Sequence, residues 1–103
     1  MKQLIVVETP LVAEEIAKAI SDGTFISKKY YLENTTYIIT WCIGQEIKHQ
    51  LGVVQALCVR YDIVAIINGC EVGSKCDRIV DLIYQHLKLS KIYLHDKTIQ
   101  QTL

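Results

Sequence analysis

Glu8 is the first side chain in the sequence whose type and position suggest chemistry. It directly follows residues 4–7, a short apolar run rich in β-branched types that predicts a buried strand. Open α/β sheets bind their ligands at the carboxyl ends of such strands, and a carboxylate there could bind a cation or exchange a proton. The alternative is that Glu8 is an ordinary solvated turn residue, and the local pattern leaves both interpretations open.

Two helices with clear start signals would position such a site. Thr9 is a suitable cap and Pro10 suits the first helical position, after which apolar residues recur at helical spacing. Ser74 would cap a second helix of the same kind. Between them, residues 45–57 have helical spacing that Gly52 interrupts, so short helical pieces and a helix–loop connection are both open.

Four more strands are predicted from β-branched and aromatic content, at residues 25–32, 36–42, 61–68 and 92–94. The first contains Lys28 and Lys29 and is expected at the edge of the sheet, with its charges toward water. Residues 97–103 could start a further helix. Because strands alternate with helices, we predict a single α/β domain over residues 1–103, with a mostly parallel sheet and helices on both faces.

The composition is typical of one small globular domain. The chain has 103 residues, 50% of them hydrophobic and one of them proline, which argues against disorder and against two domains. Eleven basic residues balance eleven acidic ones, so DNA binding would need local patches or another chain. The sequence shows no secretion signal, and no apolar run approaches the ~20 residues of a membrane span, so we expect a cytoplasmic protein without membrane contact.

The cysteines are dispersed along the chain, at Cys42, Cys58, Cys70 and Cys76. They form no C-x-x-C pair and the three histidines are scattered, so the spacing does not predict a zinc site. Cys42 and Cys58 lie in apolar runs and are expected to pack as small hydrophobic residues. In a cytoplasmic protein the thiols are expected to be reduced.

Three segments resemble, in the same order, the toprim domain of type IA DNA topoisomerases, most closely the topoisomerase III branch. Residues 4–20, LIVVETPLVAEEIAKAI, are similar to the family's VVEKPSVAxxIAxAL, and residues 37–44, YIITWCIG, to its YxxTWCIGHLxEL. The third segment, within residues 68–87, is degenerate. The resemblance covers nearly the whole chain and implies a toprim-like fold, DNA as a partner and Mg²⁺ as the cofactor.

The resemblance also implies roles for individual carboxylates. Glu8 matches the family glutamate that acts as general acid and base in DNA strand cleavage and religation. The family's metal-binding motif, D-A-G-R-E-G-E, falls on residues 71–77 when it is aligned backward from Asp81. Glu71 and Asp77 then keep a carboxylate, and together with Glu8 they are the predicted ligands of Mg²⁺, which prefers oxygen.

Several positions depart from the family's motif. Counting forward from Tyr61 instead places Asn68 at the first aspartate, so both alignments stay open and the motif is broken in each. Lys75 replaces a metal-binding glutamate of the family. Its positive charge would repel a metal ion at this position. Alternatively, the Lys75 side chain could hold a DNA phosphate and so take part in catalysis. Gln45 replaces a family histidine and is the second candidate for a DNA contact.

Two interpretations follow. In the first, which we favour, the site binds Mg²⁺ weakly or not at all. In the second, Glu8, Glu71 and Asp77 form a working Mg²⁺ site with an altered geometry.

We therefore expect a domain that resembles the amino-terminal domain of topoisomerase III and acts within a longer protein. In type IA enzymes the nucleophilic tyrosine belongs to another domain, which no segment here resembles, so this chain alone is expected not to relax DNA. The alternative is a non-catalytic module that binds DNA or protein, with a homodimer formed through the edge strand near residues 25–32. A stand-alone toprim phosphodiesterase or nuclease is a third interpretation, which would need a metal at Glu8.

Overall fold

The computed structural model describes residues 1–20, 24–43 and 47–96. Within these ranges the chain forms six strands and three helices. In chain order they are β1 (Lys2–Val7), α1 (Pro10–Ala19), β2 (Ile26–Ser27), β3 (Tyr31–Glu33), β4 (Tyr37–Trp41), α2 (Ile47–Cys58), β5 (Ile63–Asn68), α3 (Lys75–Leu87) and β6 (Ile92–His95). None of the described helices is both long enough and apolar enough to cross a membrane.

The strands form one sheet in the order β2-β3-β4-β1-β5-β6. The central strand β1 pairs in parallel with β4 and β5, and β5 pairs in parallel with β6. β2 and β3 are antiparallel additions on the side of β4. Helix α1 covers one face of the sheet, whereas α2 and α3 cover the other. The predicted α/β class, with a mostly parallel sheet between helices, is confirmed.

The core is divided by the sheet into two layers. Because side chains alternate along a strand, Leu4 and Val6 of β1 pack toward α2 and α3, whereas Ile5 and Val7 pack toward α1. All four are at most 2% exposed. A strand that is covered on both faces explains why residues 4–7 are uniformly apolar rather than alternating.

Three local expectations are resolved by the structure. The side-chain oxygen of Thr9 accepts a hydrogen bond from Val12, and that of Ser74 accepts one from Asp77, so both predicted caps are confirmed. The single strand predicted over residues 25–32 is wrong, because this segment turns back on itself and gives the short strands β2 and β3. Helix α2 runs without a break from Ile47 to Cys58, through Gly52, whereas the predicted helix at 97–103 lies outside the described residues.

A buried glutamine fixes α2 against the end of β4. Gln50 is 2% exposed, and its amide nitrogen lies 3.1 Å from the Tyr30 carbonyl oxygen, 3.0 Å from Thr40 Oγ1 and 2.6 Å from the Trp41 carbonyl oxygen. Buried backbone carbonyls require such partners. Gln50 therefore sets the position of the chain just before Cys42, at the end of the sheet where the candidate site lies.

Replacing Gln50 with Leu should lower the free energy of unfolding by about 1–3 kcal/mol, because the Trp41 carbonyl and the Thr40 hydroxyl lose the buried amide donor. The measurement is urea unfolding followed by circular dichroism. Gln55→Leu is the matched control, since Gln55 lies exposed on the same helix and should change stability by about 0.5 kcal/mol or less. Equal, small effects of both changes would contradict the structural role of Gln50.

Candidate functional site

The four parallel strands finish at one end of the sheet, which we call the carboxyl edge. Their last residues are Val7, Trp41, Asn68 and His95. Val7 is in register with Trp41, and Asn68 with His95. Glu8 directly follows Val7, so the predicted catalytic glutamate lies where parallel α/β sheets bind their ligands.

The carboxylate of Glu8 binds the loop that follows β5. Its Oε1 accepts a hydrogen bond of 3.1 Å from the backbone N–H of Glu71, while its backbone oxygen accepts one of 2.8 Å from Ile43. The side chain of Glu8 is half-buried, and that of Glu71 is exposed. Glu8 thus links the loops after β1, β4 and β5 and stays partly open to solvent.

Asp77, in the first turn of α3, holds the other end of the same loop. Its Oδ2 accepts a hydrogen bond of 3.0 Å from the Gly73 N–H, and its Oδ1 accepts one of 2.9 Å from the amide nitrogen of Asn68. The Ser74 hydroxyl oxygen accepts from the Asp77 N–H and caps the helix, while the Asp77 carboxylate satisfies the N–H of the residue before the cap. Gly73 has a φ of 78°, a left-handed conformation that favours glycine.

Asp81 lies one helical turn after Asp77, and both carboxylates approach His95. His95 Nε2 lies 3.1 Å from Asp81 Oδ1, and its Nδ1 lies 3.5 Å from Asp77 Oδ1. The Tyr93 hydroxyl donates to Asp81 and accepts a hydrogen bond of 3.0 Å from Asn68. Ligand atoms of Asp77, Asp81 and His95 lie within 4.8 Å of one another, so this group, the Asp–His cluster, could hold a metal ion.

The predicted site residues are only partly brought together. Asp77 belongs to the Asp–His cluster, whereas Glu8 and Glu71 contact each other through the hydrogen bond described above. Within residues 1–20, 24–43 and 47–96, no metal-capable group of three side chains includes Glu8 or Glu71. Lys75 is the first residue of α3 and is exposed, and Gln45 lies outside the described residues. The proposed roles of all five stay predictions.

Sequence reasoning did not select Asp81 or His95. The i, i+4 spacing of Asp77 and Asp81 was available as a signal, because it places both on one helix face. His95 carried no comparable local signal, since its position depends on the parallel pairing of β6 with β5. The structure also places Asn68 at the end of β5, where its amide donates to a carboxylate rather than adding a negative charge.

Three of the four cysteines, Cys42, Cys70 and Cys76, form a second cluster at the carboxyl edge. Cys42 and Cys58 are free and buried, which confirms their predicted place in the core, and burial raises their thiol pKa values to about 12 and about 11. Cys70 and Cys76 form a disulfide with their Cα atoms 5.9 Å apart, within the usual range. The expectation that the thiols are reduced is therefore wrong for this pair.

Comparisons with known proteins complete the description of the site. No model of a known protein family matches the sequence, and no curated protein matches it.

Tyr93 gives this site a measurable pH dependence. The ring stacks on Tyr84 with centroids 4.4 Å apart, and burial raises the pKa of the hydroxyl, with a further increase from the Asp81 carboxylate. The folded-state pKa thus exceeds the ordinary value of 10.0. Tyr93 therefore contributes stability that is fully present below about pH 10 and is lost as pH rises toward the folded-state pKa.

Replacing Tyr93 with Phe should lower the free energy of unfolding by about 1 kcal/mol at pH 7, because Asp81 and Asn68 lose a hydrogen-bond partner. Above about pH 10 the difference from wild type should shrink. The measurement is urea unfolding between pH 7 and 11, with Tyr61→Phe as the control, since Tyr61 is 93% exposed. A constant difference across this pH range would contradict the account.

Proposed function

We propose that this chain is a toprim-like domain of a topoisomerase III-like protein, and that its carboxyl edge supports Mg²⁺-dependent cleavage and religation of DNA phosphodiester bonds. The observation that carries the proposal is the position of Glu8 at the end of the central strand. Glu8 and Asp77 hold the same loop, at Glu71 and at Gly73, so the acid/base candidate and one carboxylate of the Asp–His cluster share one loop. The resemblance of residues 4–20 and 37–44 supports the same assignment.

Each side chain has a definite role in this proposal. Glu8, half-buried at the end of β1, exchanges the proton of the DNA hydroxyl. The carboxylates of Asp77 and Asp81 would hold Mg²⁺, which prefers oxygen ligands and keeps several waters. When bound, Mg²⁺ would offset the negative charge of the DNA phosphate group. His95 offers nitrogen, which suits Mn²⁺ better than Mg²⁺.

Lys75 is the proposed contact to a DNA phosphate. It is exposed at the first position of α3, where the positive end of the helix dipole also favours an anion. The net charge of zero provides no general attraction to DNA, so affinity would depend on such local contacts and on the remainder of a longer protein.

We also propose that this protein is cytoplasmic.

A second candidate function is that of a non-catalytic module for DNA or protein binding. Asn68 favours it, because an amide at the end of β5 replaces a charge that would attract a metal, and this amide is already hydrogen-bonded to Asp77 and Tyr93. A second copy of the chain could pair along β2, where Ile26 is 61% exposed.

Calorimetric titration with Mg²⁺ and with Mn²⁺ separates the two candidates. The catalytic proposal predicts that the wild-type chain binds a divalent ion, and that Asp77→Asn and Asp81→Asn each weaken binding by about tenfold or more, because each removes a carboxylate of the Asp–His cluster. Glu15→Gln is the matched control, because Glu15 lies exposed on α1 and should bind as wild type. Circular dichroism of each variant confirms that the fold is retained.

Two results would contradict the catalytic proposal. Absence of binding by the folded wild-type chain would favour the non-catalytic module. Equal binding by wild type and all three variants would show that the ion binds away from the carboxyl edge.

A further inference from the structure

The fold brings three cysteines from distant parts of the chain to one buried place. Cys42 follows β4, Cys70 follows β5, and Cys76 is the second residue of α3. They are 1%, 3% and 1% exposed, and their Sγ atoms all lie within 4.8 Å of one another. The Cys70–Cys76 disulfide therefore has a free thiol beside it.

The disulfide sulfurs lie at the end of the central strand. The Sγ of Cys76 lies 3.5 Å from the Val7 carbonyl oxygen, and the Sγ of Cys70 lies 3.8 Å from that of Val6, so each reduced thiol can donate its S–H to a carbonyl oxygen before a metal displaces the proton. Cys76 is in the first turn of α3, where the helix dipole stabilises a negative charge. Zn–S bonds of about 2.3 Å place the sulfurs of a tetrahedral site about 3.8 Å apart. All three sulfurs already lie within 4.8 Å of one another, and those of Cys70 and Cys76, bonded to each other in the oxidised chain, would separate on reduction.

We propose that, when the Cys70–Cys76 disulfide is reduced, Cys42, Cys70 and Cys76 bind one Zn²⁺ through three thiolates. A dithiol reductant supplies the two electrons and two protons that convert the disulfide into two thiols, and is itself oxidised to a disulfide. Zn²⁺ then displaces the three thiol protons, and water occupies the fourth position. Thiolates select Zn²⁺ over Mg²⁺, so this site differs in chemistry from the Asp–His cluster.

Zinc binding and the disulfide exclude each other, and both act on the loop of the proposed active site. Glu71 and Lys75 lie between Cys70 and Cys76 in sequence. A covalent bond closes this loop in the oxidised chain, whereas in the reduced chain the metal would tie it to Cys42 as well. The redox state would therefore set the arrangement of the loop that Glu8 and Asp77 hold.

Titration of the reduced chain with Co²⁺, a spectroscopic substitute for Zn²⁺, tests the proposal. The expected result is one bound Co²⁺ per chain, with a strong thiolate-to-cobalt charge-transfer band that Zn²⁺ abolishes. The band should be lost in Cys42→Ser and in the oxidised wild-type chain. It should persist in Cys58→Ser, the matched control, because Cys58 is equally buried but lies outside the group of three.

Absence of the band in the folded, reduced wild-type chain would overturn the proposal, and so would an equal band in a folded Cys42→Ser chain. If Cys42→Ser does not fold, alkylation of the native wild-type chain replaces it. Zn²⁺ should then protect Cys42, Cys70 and Cys76 from alkylation, and equal modification with and without Zn²⁺ would overturn the proposal. Ions bound only by carboxylates give no thiolate band, so this test is independent of the proposed function.

Discussion

The parallel pairing of β1 with both β4 and β5 is the constraint on which the rest of the structure depends. The side chains of residues 4–7 are buried on both faces of the sheet, and each contributes about 1.5–3 kcal/mol through burial. A slip of one residue would turn Leu4 and Val6 toward α1 and Ile5 toward α2 and α3, so the register is strongly fixed. With β1 fixed, Glu8 has only one place in the fold, at the carboxyl edge.

Two clusters of different chemistry lie at this edge. The Asp–His cluster offers oxygen and imidazole ligands near the surface, while the three cysteines offer sulfur within the core. The Asp–His cluster therefore suits hard cations such as Mg²⁺, and the three cysteines suit borderline cations such as Zn²⁺. Asn68 and Cys70, two residues apart at the end of β5, connect them: the Asn68 side chain bonds both to Asp77 and to the Cys70 N–H.

The parts of the fold that could be predicted from the sequence are those determined by local pattern. The buried strand before Glu8, the caps at Thr9 and Ser74 and the alternation of strands with helices all depend on residues close together in the chain. The hairpin of β2 and β3 was missed because no glycine or proline marks its turn, whose Lys28 N–H instead bonds the Tyr31 carbonyl oxygen.

The candidate site was less predictable because its members come from distant segments. Cys42 and Cys70 meet only through the pairing of β4 and β5 with β1, so their sequence spacing carries no metal-binding pattern. His95 likewise reaches Asp81 only because β6 pairs with β5. Glu8 could be predicted, because both its strand and its helix are local to it. The roles of Glu71 and Lys75 came from the resemblance alone.

The central claim is that a divalent cation binds at the carboxyl edge of the sheet. The most direct test is the paramagnetic broadening of backbone amide signals in the nuclear magnetic resonance spectrum at substoichiometric Mn²⁺. We expect the amides of residues 69–77, Asp81 and His95 to broaden first, and those of Asn34 and Thr36, beyond the other end of β1, to stay sharp. Uniform broadening, or broadening that begins near Asn34, would contradict the claim.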